Sequence, residues 1–221
     1  MGLDMYIERT KKIDGMTLNQ IIETGRYIDY LDRPNKYSDC TPEDWNCCNE
    51  SEVCKDRIED VKANVHTCYS AWDTEKKYGH EGISDGVAYW RKANAIHNWF
   101  IENCADGVDE CQTIELTKEM LENLLHVAKL VKKNSKLVKG IINNGFRIEG
   151  GKEIPITQEG KVIKDPSVAM ELLPTTSGFF FGSTDYDEWY LEDIESTIEQ
   201  ITEILKTTDF DKEYVTYVAS W

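Results

Sequence analysis

The sequence contains no long hydrophobic run. None of its apolar stretches approaches the ~18 consecutive residues that a transmembrane helix requires. The first residues, MGLDMYIERTKK, also lack the charged and then apolar segments of a secretory signal. Tyr6 stands where an N-myristoylation signal has Ser or Thr. We therefore expect a protein of the cytoplasm without a membrane segment.

Motifs of known mechanism are also missing. The chain has no Walker A sequence, no G-x-G-x-x-G and no H-E-x-x-H, and no G-x-S-x-G elbow surrounds Ser177. These absences remove the commonest nucleotide-hydrolysing and metalloprotease classes, and they leave a serine hydrolase without support. We accordingly expect no cofactor.

Positive charge is scarce. Lys and Arg number 25 against 41 Asp and Glu, which gives a formal net charge of −16. The negative electrostatic field of a chain with this net charge repels phosphate backbones, so direct nucleic-acid binding is disfavoured. The acidic residues are spread along the chain without a block of like charge, which favours a solvated acidic surface over a DNA mimic. Docking onto a basic surface of a partner protein stays open.

Cysteine is present in an odd number, seven, and four of these residues lie close together: Cys40, Cys47, Cys48 and Cys54. Their spacing is not that of a C-x2-C zinc site, and adjacent Cys47 and Cys48 are poorly placed to bind one tetrahedral ion together. His66 or Cys68 could complete such a site. Free, reduced thiols are the favoured interpretation, and we assign no metal.

Strand patterns occur at both ends of the chain. Leu3, Met5 and Ile7 alternate with polar residues, and the terminal YVTYVASW is β-branched and aromatic. Helices are predicted over 16–30 with Thr17 as the cap, within 51–78, over 85–103, over 117–134 and after residue 185. One or two hairpins are expected in the region near 140–165. The pattern predicts an α+β fold: about five helices packed on a small, largely antiparallel sheet with both chain termini as strands. We expect a single domain, 1–221, with a variable Cys-rich excursion near 32–78.

The stretch 89–100, YWRKANAIHNWF, is the most informative. As a helix it places Tyr89, Ala93, Ile96 and Phe100 on one apolar stripe. The neighbouring stripe carries Trp90, Asn94 and His97, with Arg91 beside it. Polar groups framed by large rings are typical of a ligand pocket. The alternative is that Asn94 and His97 satisfy buried backbone groups and that Arg91 pairs with a surface carboxylate.

In the pocket interpretation each of these side chains has a role. Arg91 binds a phosphate or carboxylate through its planar guanidinium, and a Trp ring stacks on a base. His97 acts as a hydrogen-bond donor or as a general acid/base.

A second stretch, 172–190 (LLPTTSGFFFGSTDYDEWY), resembles the first in combining rings with polar groups. The three Phe between Gly178 and Gly182 predict a short buried strand, and Asp185 with Glu188 predicts a capping box. Carboxylates at a helix N-terminus usually serve as caps. The alternatives are that these carboxylates bind a cation or a cationic side chain, or that Asp187 or Glu188 is an acid/base partner of His97. Tyr186 and Trp189 would then complete the pocket.

Together the MGLDMY start, the two stretches and the terminal strand ending in Ser220 and Trp221 resemble a group of tailed-phage and prophage proteins without an assigned activity. The resemblance runs over most of the chain. It implies a phage-encoded accessory protein that acts in the bacterial cytoplasm, and it assigns no catalytic residue.

Three functions follow as hypotheses. The first is a phage accessory, counter-defence protein that binds a small phosphorylated or nucleotide-like ligand through six residues: Trp90, Arg91, Asn94, His97, Tyr186 and Trp189. The second is a hydrolase of a phosphoester or glycosidic bond with His97 as acid/base and Asp187 or Glu188 as its partner. The third is an acidic inhibitor that binds a host or defence nucleic-acid-binding complex.

Overall fold

The computed structural model describes residues 2–32, 49, 51–150, 152–178 and 180–221. Its fold is α+β, as the sequence predicts. In the described residues the helices are α1 (Leu18–Asp32), α2 (Ile58–Lys62), α3 (Asn94–Cys104), α4 (Lys118–Asn134), α5 (Ser167–Leu172) and α6 (Glu188–Thr207). The strands are β1 (Asp4–Lys11), β2 (His66–Cys68), β3 (His80–Gly82), β4 (Ser84–Arg91), β5 (Ile114–Glu115), β6 (Leu137–Glu149), β7 (Lys152–Ile163) and β8 (Glu213–Ser220).

The largest sheet contains both terminal strands. Its order is β4-β1-β8-β5, and two smaller sheets pair β2 with β3 and β6 with β7. The pairs β2–β3, β5–β8 and β6–β7 are antiparallel. Leu3, Met5 and Ile7 are fully buried, which is the alternation expected of a strand with one face on a core. The prediction of strands at both ends is therefore confirmed.

The chain divides into two compact units. The first comprises Met1–Ile7, Ala88–Thr208 and Thr216–Trp221, and the second comprises Glu8–Val87 and Asp209–Val215. Each unit is assembled from segments that are distant in the sequence. The single-domain organisation stays a prediction.

Two long amphipathic helices, α4 and α6, form much of the core of the first unit. Thr117 caps α4, because its Oγ1 accepts a hydrogen bond from the Met120 amide at 3.2 Å. The buried residues of α4 recur at helical spacing and pack with those of α6; they are Leu121, Leu124, Ala128 and Val131 in α4 and Ile194, Ile201 and Ile204 in α6. The helix predicted over 117–134 is confirmed.

One long hairpin, β6–β7, occupies the region for which one or two hairpins are predicted. Its register shifts between Asn143 and Phe146, where Gly145 has a φ of 101°. A glycine in this conformation is typical of a β-bulge, which bends the strand locally.

The second unit has its own hydrophobic core, to which α1 contributes. Met16, Ile21, Ile28 and Val61 are buried together. Thr17 and Gln20 form a reciprocal cap at the start of α1, with Gln20 N to Thr17 Oγ1 at 3.2 Å and Thr17 N to Gln20 Oε1 at 2.9 Å. The cap predicted at Thr17 is confirmed.

The helix predicted over 85–103 is wrong in its first half. Ser84–Arg91 form β4, and α3 begins only at Asn94. Ala88 and Trp90 are buried on alternate positions of the strand, so the period of two outweighs the helical spacing. Lys92, with a φ of 62°, separates the strand from the helix.

Other local predictions are also corrected. The helical spacing within 51–78 yields only a short 3-10 turn (Lys55–Arg57) and α2, after which the chain enters β2. The predicted buried strand of Phe residues is wrong for the described positions: Phe180 is half-exposed and has a φ of 60°, whereas Phe181 is buried. Phe179, Cys40, Cys47 and Cys48 lie outside the described residues. Among the described helices, none combines the length and the apolar character that crossing a membrane requires.

Candidate functional site

The two stretches singled out in the sequence meet around one cavity of about 750 Å³ in the first unit. The end of β4 and the start of α3 form one part of its wall, and the 175–185 loop and the start of α6 form another. The bulge of the β6–β7 hairpin, at 143–145, contributes a third part. The volume is that of a small-molecule site.

Two cationic side chains lie in the part of the cavity wall that is formed by the end of β4. Arg91 and Lys92 both line the cavity, and both side chains are exposed. The opposing loop comes very close to Lys92, because a Cβ added to Gly182 would lie 3.1 Å from the Lys92 Cβ and 3.3 Å from its carbonyl oxygen. Gly182 also has a φ of 94°. A glycine is therefore needed for the loop to pass Lys92 at this distance.

Asn94 fastens the loop to the start of α3. Its Nδ2 donates to the carbonyl oxygens of Ser183 at 2.8 Å and Phe181 at 3.2 Å, and its Oδ1 accepts from the Thr176 amide at 3.1 Å. Since the side chain is buried and makes these three bonds, Asn94 shapes the cavity wall. This matches the alternative in which Asn94 satisfies buried backbone groups.

Asp187 is the N-cap of α6, so the predicted cap at Asp185 is wrong. Oδ1 of Asp187 accepts from the amides of Trp189 at 2.9 Å and Tyr190 at 3.1 Å. Its Oδ2 is buried and has no hydrogen-bond partner among the described residues. Burial raises the pKa of Asp187, and the nearby charges of Asp185 and Glu188 add to this effect.

Asp193 also lines the cavity, one turn and a half further along α6. Burial raises its pKa to about 7, and the negative charges of Glu192 and Asp187 act in the same direction. The lining thus contains Asp185, Asp187, Glu192 and Asp193 against the two cations. The cavity can therefore offer both hydrogen-bond acceptors and positive charge.

Aromatic rings complete the lining. Trp189 and Phe180 both line the cavity, with 53% and 51% of their surface exposed. A half-exposed indole presents a face on which a planar group can stack.

Trp90 and Tyr186 have structural roles. The Trp90 ring is buried, and its Nε1 donates to Oγ1 of Thr197 at 2.9 Å. The hydroxyl of Tyr186 accepts from the Thr175 amide at 3.1 Å. Of the six predicted ligand-binding residues, Arg91, Asn94 and Trp189 line the cavity, whereas Trp90, Tyr186 and His97 do not.

His97 lies in a second, smaller cavity of about 330 Å³. Its Nδ1 is 2.7 Å from the hydroxyl of Tyr217, and its Nε2 is 3.1 Å from Oδ2 of Asp109. Because a carboxylate only accepts, Nε2 donates to Asp109, and in the neutral imidazole this leaves Nδ1 to accept from the Tyr217 hydroxyl. Nε1 of Trp221 donates to the other Asp109 oxygen at 3.2 Å.

The expected partnership of His97 with Asp187 or Glu188 is absent from these contacts. Asp187 is used as the cap of α6, and Oε1 of Glu188 accepts from the Lys161 amide at 3.1 Å. Both nitrogens of His97 have other partners.

The sequence pattern did not predict Asp193, Asp109 or the bulge at 143–145 as parts of the two cavities. A signal existed for Asp193, which is three residues after Tyr190 and four before Thr197 and so shares the buried stripe of α6. Nothing in the local sequence pointed to Asp109, since its partner in the fold is a histidine on a separate element.

Comparisons with known proteins give no match for this chain, neither among the family models nor among the curated proteins and the solved structures. The residues of the site are therefore the basis for assigning a function.

Proposed function

We propose that the 750 Å³ cavity of the first unit binds a small nucleotide-like ligand. The observation that carries the proposal is that cationic, aromatic and acidic side chains from two distant stretches line one cavity. Arg91 and Lys92 supply the charge for an anionic group, and Arg is suited to phosphate because its planar guanidinium binds two oxygens at once.

Trp189 is the stacking surface in this proposal. Its ring is half-exposed at the cavity, and base–aromatic stacking contributes about 1–3 kcal/mol. The carboxylates of Asp187 and Asp193 are acceptors for the hydroxyl or amino groups of a nucleoside.

The acidic lining limits the charge of the ligand. Four carboxylates stand against two cations, so a polyphosphate would meet strong repulsion. We therefore propose a ligand with one phosphate group, such as a nucleoside monophosphate or a cyclic mononucleotide.

The hydrolase hypothesis has less support. A general base needs a nitrogen free to take a proton, and both ring nitrogens of His97 are hydrogen-bonded to side chains while the residue is 1% exposed. Capture of the ligand, without turnover, fits the geometry better.

The resemblance to phage proteins adds a context to the proposal. In the bacterial cytoplasm, a protein that captures a mononucleotide would withdraw a signal from a host defence system. This role, and the alternative of an acidic inhibitor of a host complex, stay predictions.

The test is a titration of the purified chain with AMP, GMP and their cyclic forms, followed by calorimetry and tryptophan fluorescence. We expect wild type to bind at least one of them, with quenching of the Trp189 emission. Arg91→Ala and Trp189→Ala should each weaken binding about tenfold or more, in line with the loss of a charge-assisted pair or a stacked ring.

Arg147→Ala is the matched control, because Arg147 is an exposed arginine on the hairpin that pairs with Glu149. Its affinity should equal that of wild type. Failure of every mononucleotide to bind, or equal affinity of Arg91→Ala and wild type, would overturn the proposal. Slow hydrolysis of a bound ligand by wild type, lost in His97→Ala, would restore the enzyme hypothesis.

A further inference from the structure

Three side chains with metal-binding atoms lie together in the second unit. They are His66 and Cys68 on β2 and Asp85 on β4, and one ligand atom from each lies within 4.8 Å of the others. Nε2 of His66 is 3.0 Å from Oδ2 of Asp85 and 3.5 Å from Sγ of Cys68. A tetrahedral zinc ion with bonds of ~2.0–2.3 Å separates its ligands by about 3.3–3.8 Å. One ion therefore fits among these atoms after small side-chain movements.

The backbone explains why these side chains converge. His66 and Cys68 are two residues apart on β2 and so share a face of the strand. The amide of Gly86 donates to the carbonyl oxygen of Tyr69 at 3.0 Å, which brings Asp85 beside the end of β2.

A fourth donor stands on the neighbouring strand. The register of β2 and β3 places His80 opposite Cys68 and Gly82 opposite His66, and directly opposed residues share a face of the sheet. A Cβ added to Gly82 would lie 3.3 Å from Sγ of Cys68 and 3.5 Å from Nε2 of His80. The missing side chain of Gly82 thus leaves open the space between the sulfur and the second imidazole.

The orientation of His66 is held by the backbone. Its Nδ1 lies 2.9 Å from the carbonyl oxygen of Asn64. A carbonyl only accepts, so Nδ1 carries the proton and Nε2 is the nitrogen directed at Asp85 and Cys68. Histidines that bind metals are commonly held in this way, through a hydrogen bond from the nitrogen that does not bind.

We propose that His66, Cys68, Asp85 and His80 bind one zinc ion. A thiolate with two imidazoles and a carboxylate selects a late first-row transition metal over Mg²⁺ or Ca²⁺. With four protein ligands the site is closed, which is typical of a structural ion. The strands β2 and β3 have only three residues each, so their pairing contributes little stability alone. The ion ties both strands to β4.

This site differs from the one that the sequence suggested. The earlier alternative used the cysteines of 40–54, with His66 or Cys68 as an additional ligand. In the structure, His66 and Cys68 lie next to Asp85 of β4, and His80 of β3 is opposite Cys68 in the strand register. Our sequence-based assignment of no metal is replaced by this proposal.

The experiment uses the full chain, purified under reducing conditions, freed of metal with a chelator and titrated with Co²⁺ and then with Zn²⁺. We expect one ion per chain, the visible bands of tetrahedral Co²⁺ and a near-ultraviolet thiolate-to-cobalt transition. Cys68→Ser should abolish the thiolate transition. His66→Gln should weaken Zn²⁺ binding by more than the ~10- to 100-fold typical of an outer-shell change.

Cys104→Ser and His126→Gln are the matched controls, because they remove the same chemical groups elsewhere in the chain. Both should bind Co²⁺ like wild type. Far-ultraviolet circular dichroism checks each variant, and His66→Gln decides the question if Cys68→Ser does not fold, since His66 is partly exposed.

Two results would overturn the proposal. One is a wild-type chain that binds neither ion. The other is a thiolate transition and Zn²⁺ affinity that persist in His66→Gln, because the ion would then be held by other cysteines.

Discussion

The hydroxyl of Tyr217 in the last strand lies 2.7 Å from Nδ1 of His97 in α3, across 120 positions of sequence. Both side chains are 1% exposed, and the Tyr217 ring stacks on Phe100 with centroids 4.1 Å apart. Burial holds the pKa of Tyr217 well above its usual value, so the hydroxyl stays protonated and donates a hydrogen bond to Nδ1 of His97. The pair links the C-terminal strand to α3 inside the first unit.

Tyr217→Phe removes this donor and leaves Nδ1 of His97 buried without a partner. We expect the free energy of unfolding to fall by about 1–3 kcal/mol, the usual cost of an unsatisfied buried group. Urea unfolding measures the change. Tyr78→Phe, on an exposed ring, should change stability by much less; an equal effect of the two substitutions would contradict the assigned role.

Asn94→Asp changes the two donors that hold the 175–185 loop into acceptors. The carboxylate would face the carbonyl oxygens of Phe181 and Ser183, so we expect a loss of at least about 1–3 kcal/mol and weaker binding of any ligand in the cavity. Thermal unfolding measures the loss of stability, and the mononucleotide titration measures the loss of ligand affinity. Asn134→Asp, at the exposed end of α4, is the control. Unchanged stability of Asn94→Asp would show that the loop is held by other contacts.

Gly182→Ala tests the close approach of the loop to Lys92. The left-handed backbone alone costs a residue with a Cβ about 1–2 kcal/mol, and the new methyl group would also crowd Lys92 at 3.1 Å. Gly145→Ala separates the two effects, because Gly145 has a similar φ of 101° but nothing within 4 Å of an added Cβ. Denaturant unfolding should show a larger loss for Gly182→Ala. Equal losses would mean that the crowding is relieved at no cost.

Asp193→Asn should make the protein more stable at pH 8 and have little effect at pH 4. The folded-state pKa of about 7 lies above the reference value of 3.8, so the folded chain holds this proton more tightly than the unfolded chain. Stability therefore decreases as the pH rises from about 4 to about 7, and the full cost is present above that window.

Asparagine does not ionise, so Asp193→Asn avoids this cost. Because one pKa unit corresponds to ~1.4 kcal/mol, we expect a gain of at least that size at pH 8. Urea unfolding of both proteins at pH 4 and pH 8 provides the comparison, with Asp106→Asn as the control on an exposed residue. A gain of the same size at both pH values would rule out titration of Asp193 as its source.

The predictions that succeeded involve segments whose local pattern has one interpretation. In α4, the cap at Thr117 and the apolar stripe ending at Val131 agree on a helix. At the start of the chain, Leu3 precedes β1 and Met5 and Ile7 lie within it, and the three alternate so regularly that only a strand fits. Local chemistry and burial point to the same structure in these segments.

The predictions that failed involve apolar residues that fit two periods. Tyr89 and Ile96 satisfy a helical spacing, yet Tyr89 belongs to β4 and Ile96 to α3. The strand is selected by the pairing of β4 in the large sheet, which local sequence does not encode. The cap of α6 moved from Asp185 to Asp187 for a similar reason, since Val162 pairs with Asp187 in an isolated bridge.

By itself, the sequence determined the α+β class, the terminal strands, the long helix after Thr117, and the two stretches in which to search for a site. Hydrophobic periodicity and capping chemistry act over a few residues and can be recognised without the fold. Only the tertiary structure decided that Arg91 and Trp189 share a cavity, that His97 pairs with Tyr217, and that Cys68 meets Asp85. These contacts depend on strand order and register, which are set by the burial of the whole core and not by any one segment.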